Sequence, residues 1–368
     1  MIEIGRAKRA VPVYGFDDIA VIPERRTRGV EEVNLTWKID ALSFDFPIIA
    51  APMDSVMSPA TAIAFGKLGG LGVLNLEGLW TRYEDPTNIL VQLAELEDAV
   101  SATKFMQKVY SEPIKGELIQ ARLAEIRDSG VAVAGSLSPQ NCVEFGHIVE
   151  QSGVDFFVIR GTTVSAEHVS QVNEPLNLKD FIYHLDVPVI VGGCATYQAA
   201  LHLMRTGAAG ILVGFGGTAT RKTRSVLGIE VPMASAVADV AEARRDYLDE
   251  SGGRYVQVIA DGALGASGDI VKAFACGADA VMVGTPLARA YEAPGRGWHW
   301  GAEAWHPTLP RGERVKLGAI GTLEEIVLGP SVKPDGTMNL VGALRKALAT
   351  TGYSEVKEFQ KVPIVVNR

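Results

Sequence analysis

The chain has few cysteines, no surplus of basic residues and no long apolar run. Its three cysteines, Cys142, Cys194 and Cys276, form no Cys-x-x-Cys or Cys/His spacing, so neither a structural zinc site nor a disulfide framework is expected. Acidic residues outnumber basic ones by 43 to 35, which argues against a nucleic-acid-binding surface. No run approaches the roughly 18 apolar residues of a membrane helix, and the N-terminus lacks an apolar signal core. We expect a soluble cytoplasmic protein.

Short apolar runs alternate with helix-length amphipathic segments along the chain. Such alternation indicates parallel βαβ units. The predicted strands are residues 47–51, 71–74, 132–136, 154–160, 187–193, 210–214, 256–262 and 280–285. Eight units in series, with glycine and polar residues at the strand ends, predict a single (β/α)₈ barrel over residues 1–368. A doubly wound sheet is the weaker alternative. That fold has a glycine-rich phosphate-binding motif after its first strand, and the sequence here is Ala50-Ala51-Pro52-Met53.

Two segments extend the predicted barrel. Residues 80–130 are rich in charge and helix formers, and they predict a helical insertion of two or three helices after the second strand. Residues 291–315 form a flap-like segment after the eighth strand. Its residues Trp298, His299, Trp300, Trp305 and His306 favour an aromatic lid over a catalytic histidine or a shared metal ion.

The last three strands end in glycine. Backbone N–H groups at such strand ends commonly hold a phosphate in these barrels. The candidate phosphate-binding residues are Gly216, Gly217, Gly262, Gly284 and Thr285. A glycine at any one strand end could instead serve a tight turn, but the three sites together favour a phosphorylated ligand.

Ordered motifs along most of the chain resemble one family, that of IMP dehydrogenase and GMP reductase. The matching segments are residues 16–23 (FDDIAVIP), 50–56 (AAPMDSV), 69–73 (GGLGV), 213–217 (VGFGG), 223–224 (TR), 228–232 (GIEVP), 261–264 (DGAL), 267–270 (SGDI), 277–285 (GADAVMVGT) and 292–295 (EAPG). The insertion at 80–130 is too short for the pair of CBS domains found in many relatives, which favours either the GMP reductase side of the family or the IMP dehydrogenase-related group. The chain looks most like the latter.

This resemblance implies a cytoplasmic homotetramer that binds a purine nucleoside 5′-monophosphate and transfers hydride between purine C2 and NAD or NADP. A monovalent cation bound in the sixth loop is a further feature of relatives. By the same resemblance, Met53 would pack under the base with Ser55 close by, and Asp261 would hold the ribose hydroxyls. From the residues alone, Asp261 could instead cap a strand end, and Met53 could be an ordinary residue of the hydrophobic core.

The chain departs from the family pattern at the positions that carry the chemistry. A gap-free count back from Thr223 places Arg221 at the position of the family's nucleophilic cysteine. The same count places Lys222 at the next threonine and Ala219 at a phosphate-contacting serine. We interpret Arg221 and Lys222 as cations that pair with the phosphate or anchor the loop, rather than as nucleophiles. The family's Arg-Tyr flap element, which activates water in the dehydrogenases, is missing from residues 297–301.

The nicotinamide region also differs. Arg160 replaces an aspartate at the end of the fourth strand, and Gly193, in Gly192-Gly193-Cys194, replaces an asparagine after the fifth. Cys194 is an alternative nucleophile, although a lone cysteine between glycine and alanine is more typical of a small buried hydrophobe. Two hypotheses follow: an NAD(P)-dependent oxidoreductase that does not use the family's cysteine, or a nucleotide-binding or regulatory protein without turnover that associates with a catalytic relative.

Overall fold

Eight parallel strands close into a barrel, which confirms the predicted (β/α)₈ fold. The structure is a computed structural model, and it describes residues 1–170, 175–214, 223–308 and 313–367. The barrel strands are β1 (Ile48–Ala50), β2 (Leu71–Asn75), β3 (Ala134–Leu137), β4 (Phe156–Arg160), β5 (Val189–Cys194), β6 (Gly210–Val213), β7 (Gln257–Asp261) and β8 (Ala280–Val283). Each observed strand overlaps its predicted counterpart.

Helices surround the barrel. They are α1 (Pro59–Lys67), α2 (Thr87–Glu95), α3 (Ala99–Val109), α4 (Gly116–Asp128), α5 (Pro139–Gln151), α6 (Leu178–Tyr183), α7 (Tyr197–Met204), α8 (Thr223–Leu227), α9 (Met233–Glu250), α10 (Ser267–Ala275), α11 (Leu323–Val327), α12 (Leu340–Thr350) and α13 (Val356–Phe359). Helix α1 begins where the sequence predicts, because Ser58 Oγ accepts a hydrogen bond from Thr61 N at 3.1 Å while Pro59 occupies the first helical position. None of the helices in the described ranges is both long and apolar enough to cross a bilayer.

The barrel interior is a packed core closed at its N-terminal end. A hairpin of the strands Trp37–Ile39 and Leu42–Phe44 inserts there, with the Trp37 and Phe44 rings stacked at 5.3 Å. Both rings pack in the same buried cluster as the inward-facing residues of the strands, among them Phe156 and Ile259. A ligand can therefore reach the strand ends only from the opposite, C-terminal mouth.

The predicted helical insertion covers one side of that mouth. Helices α2, α3 and α4 lie between β2 and β3, where a regular unit has one helix. A separate apolar cluster joins the insertion to the segment after β8, with Leu93, Met106 and Tyr110 packed against Trp298, Trp300 and Trp305. Below, we call this shared cluster the lid core.

Three further antiparallel strand pairs complete the described strands. They are Ile2–Gly5 with Lys8–Ala10, Ile19–Val21 with Ile364–Val366, and Trp298–His299 with Val315–Lys316. The last pairing joins residues of the predicted flap-like segment 291–315 and extends one residue beyond it, to Lys316.

Gly214 ends β6 in a conformation that only glycine adopts readily. Its φ is +151°, and a Cβ there would overlap the carbonyl oxygen of Asp261. We expect Gly214→Ala to lower the free energy of unfolding by about 2–4 kcal/mol, since backbone strain and overpacking act together. Urea unfolding followed by far-UV circular dichroism measures this loss. Gly268→Ala is the matched control, because open space surrounds that helical glycine, and an equal loss in both variants would contradict the account.

Candidate functional site

Two neighbouring cavities lie at the C-terminal mouth of the barrel. The larger has a volume of about 690 Å³ and is lined by the loops after β1–β4, by Tyr110 of the insertion and by residues 300–306. The smaller has a volume of about 20 Å³, room for about one water molecule. Its lining includes five predicted nucleotide-site residues: Met53, Asp261, Gly262, Gly284 and Thr285. Met53 and Arg160 line both cavities and thus form the partition between them.

An ion pair crosses the mouth at this partition. Arg160 at the end of β4 donates from Nε to Asp261 Oδ2 at 2.9 Å and from Nη2 to Asp261 Oδ1 at 3.3 Å. The two side chains are only 14% and 8% exposed. Burial alone would lower the pKa of Arg160, but the charge and hydrogen bonds of Asp261 outweigh it and raise that pKa. Arg160, predicted to lie in the nicotinamide region, is therefore hydrogen-bonded directly to Asp261, the predicted ribose-binding residue.

The flap-like segment adds a carboxylate to this pair. Glu303 contributes a further attraction that raises the pKa of Arg160. It is held by Thr162, whose Oγ1 donates to Glu303 Oε1 at 2.8 Å. One guanidinium thus faces two carboxylates, one from β7 and one from the flap-like segment. Sequence reasoning missed Glu303, since nothing in its local sequence shows that residues 302–304 reach the end of β4.

A second contact fixes the flap-like segment over the loop after β1. Ser55 Oγ lies 2.9 Å from His299 Nδ1 and accepts a hydrogen bond from Trp300 N at 3.2 Å. Both Ser55 and His299 are fully buried, and burial lowers the pKa of His299 to about 4. The imidazole is therefore neutral near pH 7. His299 lines the small cavity, whereas Ser55 lies beneath it and lines neither cavity.

The lid core contains a buried polar centre. Tyr110 Oη donates to Asp54 Oδ2 at 2.6 Å and accepts from Trp300 Nε1 at 2.9 Å. Leu79 N donates to the same carboxylate oxygen at 2.8 Å. Burial raises the pKa of Asp54, while these hydrogen bonds act in the opposite direction. Asp54 falls within the quoted AAPMDSV motif, but its partner Tyr110 lies 56 residues away, and no sequence signal joined them.

Aromatic stacking continues from this centre toward the large cavity. The rings of Tyr110 and Trp305 are stacked, with centroids 4.7 Å apart. The Arg82 guanidinium lies over both, at 5.9 Å and 5.7 Å from their centroids. Tyr110, Trp300 and Trp305 all line the large cavity. The cavity wall therefore offers flat aromatic faces of the kind on which a base or nicotinamide ring stacks.

The two predicted glycines, Gly192 and Gly193, lie in β5, and their backbone groups are bonded to the end of β4. Gly161 N donates to Gly192 O at 2.8 Å, and Gly193 N donates to Gly161 O at 3.1 Å. Neither glycine is among the described residues that line the two mouth cavities. Gly216, Gly217, Ala219, Arg221 and Lys222 of the predicted phosphate loop lie outside the described residues.

The cysteines are shielded. Cys194 is fully buried, and burial raises its pKa to about 12. Cys142 is also buried with a raised pKa, and the pKa of Cys276 is raised to about 12. None of the three lines either mouth cavity. Within the described residues, no group of three His, Cys, Asp or Glu side chains is arranged to hold a metal ion.

Comparisons with known proteins agree with the resemblance seen in the sequence. Residues 13–305 match the family model described as "IMP dehydrogenase / GMP reductase domain". The chain is 49% identical to an uncharacterized oxidoreductase of Mycolicibacterium smegmatis over the full length of both. It is 36% identical to an inosine-5′-monophosphate dehydrogenase of Thermoplasma acidophilum, covering 77% of this chain and 74% of that protein. The crystal structure of an IMP dehydrogenase/GMP reductase-like protein from Corynebacterium glutamicum has 50% identity and a TM-score of 0.94, covering 100% of this chain and 97% of that one.

Burial predicts an unreactive thiol at Cys194. With a pKa of about 12, roughly one thiol in 10⁴ is ionised at pH 8, and the thiolate is the reactive form. We expect iodoacetamide to modify Cys194 at least about 10³-fold more slowly in the folded protein than in the urea-unfolded chain, as followed by peptide mass spectrometry. Fast modification of the folded protein would restore Cys194 as a candidate nucleophile.

The buried imidazole of His299 predicts a pH dependence of stability. Because its pKa falls from 6.5 to about 4 on folding, the unfolded chain binds the proton first, and stability present above pH 6.5 is lost as the pH falls toward 4. We expect the free energy of unfolding to fall by about 3 kcal/mol more in the wild type than in His299→Asn over this range.

Urea unfolding at a series of pH values measures the difference. Asn can accept the hydrogen bond from Ser55 but does not titrate. His184→Asn removes an exposed imidazole and serves as the control. A pH profile of His299→Asn that parallels the wild type would contradict the assignment.

Proposed function

Since the chain belongs to the IMP dehydrogenase / GMP reductase family, we propose that it binds a purine nucleoside 5′-monophosphate at the barrel mouth and performs no thiolate-dependent hydride transfer. The Arg160–Asp261 ion pair carries this proposal. It retains the carboxylate expected to hold a ribose while placing a cation where the family has an aspartate. By the same resemblance, we propose a homotetramer as the working assembly.

The ion pair leaves hydrogen-bonding capacity for a nucleotide. Each carboxylate oxygen of Asp261 accepts one bond from Arg160 and keeps a second lone pair for a ribose hydroxyl. The guanidinium has five N–H donors and uses two of them on Asp261. The remaining donors suit an anionic or carbonyl oxygen of the ligand. Recognition of both a sugar and a negatively charged group at one point supports a nucleotide as ligand.

The cavity volumes indicate how such a ligand would fit. The small cavity of about 20 Å³ is too small for a nucleotide, but it shares Met53 and Arg160 with the neighbouring cavity of about 690 Å³. A shift of the Met53 side chain would join the cavities into a site of the size that small-molecule ligands occupy. We propose that nucleotide binding displaces Met53 while Arg160 stays bonded to Asp261.

The thiol chemistry argues against the family's covalent route. A thiolate adds to the purine in that route, and loss of such a nucleophile costs roughly 10⁴–10⁶ in rate. The sequence has arginine at the cysteine position. Cys194 is buried, its pKa is about 12, and it lines neither cavity.

The large cavity favours a second candidate function, reductive hydride transfer from a dihydronicotinamide. Its aromatic wall of Tyr110, Trp300 and Trp305 suits a planar ring. The family's Arg-Tyr flap element, which activates water in the dehydrogenases, is missing from residues 297–301, and a reduction does not need that water. This candidate is therefore a reductase acting on GMP with NADPH, rather than an IMP dehydrogenase.

Absorbance at the reduced-nicotinamide band separates the two candidates. Protein at stoichiometric concentration is offered IMP with NAD, and separately GMP with NADPH, and calorimetric titration with IMP, GMP and inosine is run on the same sample. We expect both nucleotides to bind, inosine to bind more weakly for lack of the phosphate, and neither absorbance trace to change. Loss of absorbance with GMP and NADPH would establish the reductase.

Variants test whether the ion pair holds the ligand. We expect Asp261→Asn to weaken nucleotide binding at least about tenfold, because it removes the carboxylate acceptors and leaves Arg160 without its charged partner. Asp246→Asn, an exposed carboxylate on α9, is the matched control and should bind as the wild type does. Failure of the wild type to bind either nucleotide at millimolar concentration would refute the proposal.

A further inference from the structure

A second large cavity lies on the outer side of the barrel, away from the mouth. Its volume is about 580 Å³, and it is bounded by α9, the C-terminal end of α10 and the final segment of the chain. It shares no lining residue with either mouth cavity. Its polar end lies beside the residues that lead into β7 and β8, at the N-terminal end of those strands. A ligand bound there would be separate from one bound at the mouth.

The cavity is strongly cationic. Arg244, Arg245, Lys357 and Lys361 line it, and none of the described lining residues is Asp or Glu. Four cations without an acidic neighbour in the lining stand out in a chain whose net charge is −8. The large mouth cavity, by contrast, mixes Arg160 with three carboxylates. The charge of the outer cavity thus favours an anionic ligand.

The nearest carboxylate cannot neutralise these cations. Asp279 accepts from Arg244 Nη1 at 2.7 Å and also contacts Lys357 Nζ, so one negative charge serves two positive ones. Its oxygens further accept from Tyr255 Oη and Val258 N, both at 2.8 Å, and from Gln360 Nε2 at 3.0 Å. Arg245 is paired with Glu242 at 2.6 Å, so two carboxylates, Asp279 and Glu242, face the four cations, and an excess of positive charge remains toward the cavity.

The pKa of Lys357 is lowered at this wall. Burial, followed by repulsion from Arg244, lowers the pKa of Lys357 to about 7. Its ammonium lies 4.0 Å from the centroid of the Tyr255 ring and faces Asp279. Cys276 also lines the cavity, but its pKa of about 12 keeps it out of this titration. An anion in the cavity would favour the charged form of Lys357 and so bind together with a proton.

The opposite wall is apolar. The side chains of Ile364 and Val366, from the C-terminal strand, line it together with alanines of α9 and α10. An inorganic anion would leave most of 580 Å³ and all of this apolar wall unused. We propose that the cavity is a second binding site, for an organic phosphate whose phosphate meets the cationic wall and whose apolar body packs against the C-terminal strand.

Calorimetric titration with inorganic phosphate and with phenyl phosphate tests this site. We expect phenyl phosphate to bind about tenfold more tightly than phosphate, since burial of the ring adds to the charge interaction. Titration in buffers of different ionisation enthalpy should show proton uptake near pH 7–8, and affinity should fall as the pH rises through this range. The Arg245→Ala/Lys361→Ala double variant should bind phenyl phosphate about tenfold more weakly.

Controls locate the binding. Arg205→Ala removes another exposed arginine that, like Arg245, is paired with a glutamate of α9, and it should bind as the wild type does. The double variant should keep its fold and its nucleotide affinity at the mouth. Binding of phenyl phosphate that the double variant leaves unchanged, or no binding by the wild type at about 10 mM, would overturn the proposal. Equal affinities for the two phosphates would overturn the choice of an organic ligand.

Discussion

The ion pair between Arg160 and Asp261 joins strand ends that are 101 residues apart, and the layout of both mouth cavities depends on it. Closure of the parallel barrel brings β4 and β7 to the same mouth, so residues from distant units can share one buried contact. Removing one partner of such a pair typically costs about 3–5 kcal/mol, because the other charge is left buried and uncompensated. An arginine at the end of β4 therefore changes the environment of a carboxylate on β7.

The barrel itself could be predicted from sequence because its signal is local and repeated. Most strands are short apolar runs that end in glycine or a polar residue, and helix-length amphipathic segments follow them. Ser58-Pro59 marks the start of α1 by a mechanism that needs only neighbouring residues. The family motifs then placed Met53, Asp261, Gly262, Gly284 and Thr285, and these five residues do line one cavity.

The rest of the site could not be predicted, because it arises from contacts between segments that are distant in sequence. Arg160 was recognised as a substitution, yet its bond to Asp261 depends on side-chain reach across the mouth. Glu303 and Tyr110 had no local signal at all, since each acts through a partner more than 50 residues away. The aromatic residues of the flap-like segment did suggest a lid, but the insertion against which they pack carries no matching pattern.

The lid core has a consequence for how the mouth opens. Tyr110 from the insertion and Trp300 from the flap-like segment share one hydrogen-bonded, apolar-walled cluster, so neither segment can lift without exposing the apolar face of the other. The two should exchange their amide hydrogens as one cooperative unit, although some 190 residues of chain separate them. Any ligand that binds under Trp300 and Trp305 would slow amide exchange in α3 as well, so exchange in the insertion would report on occupancy of the cavity.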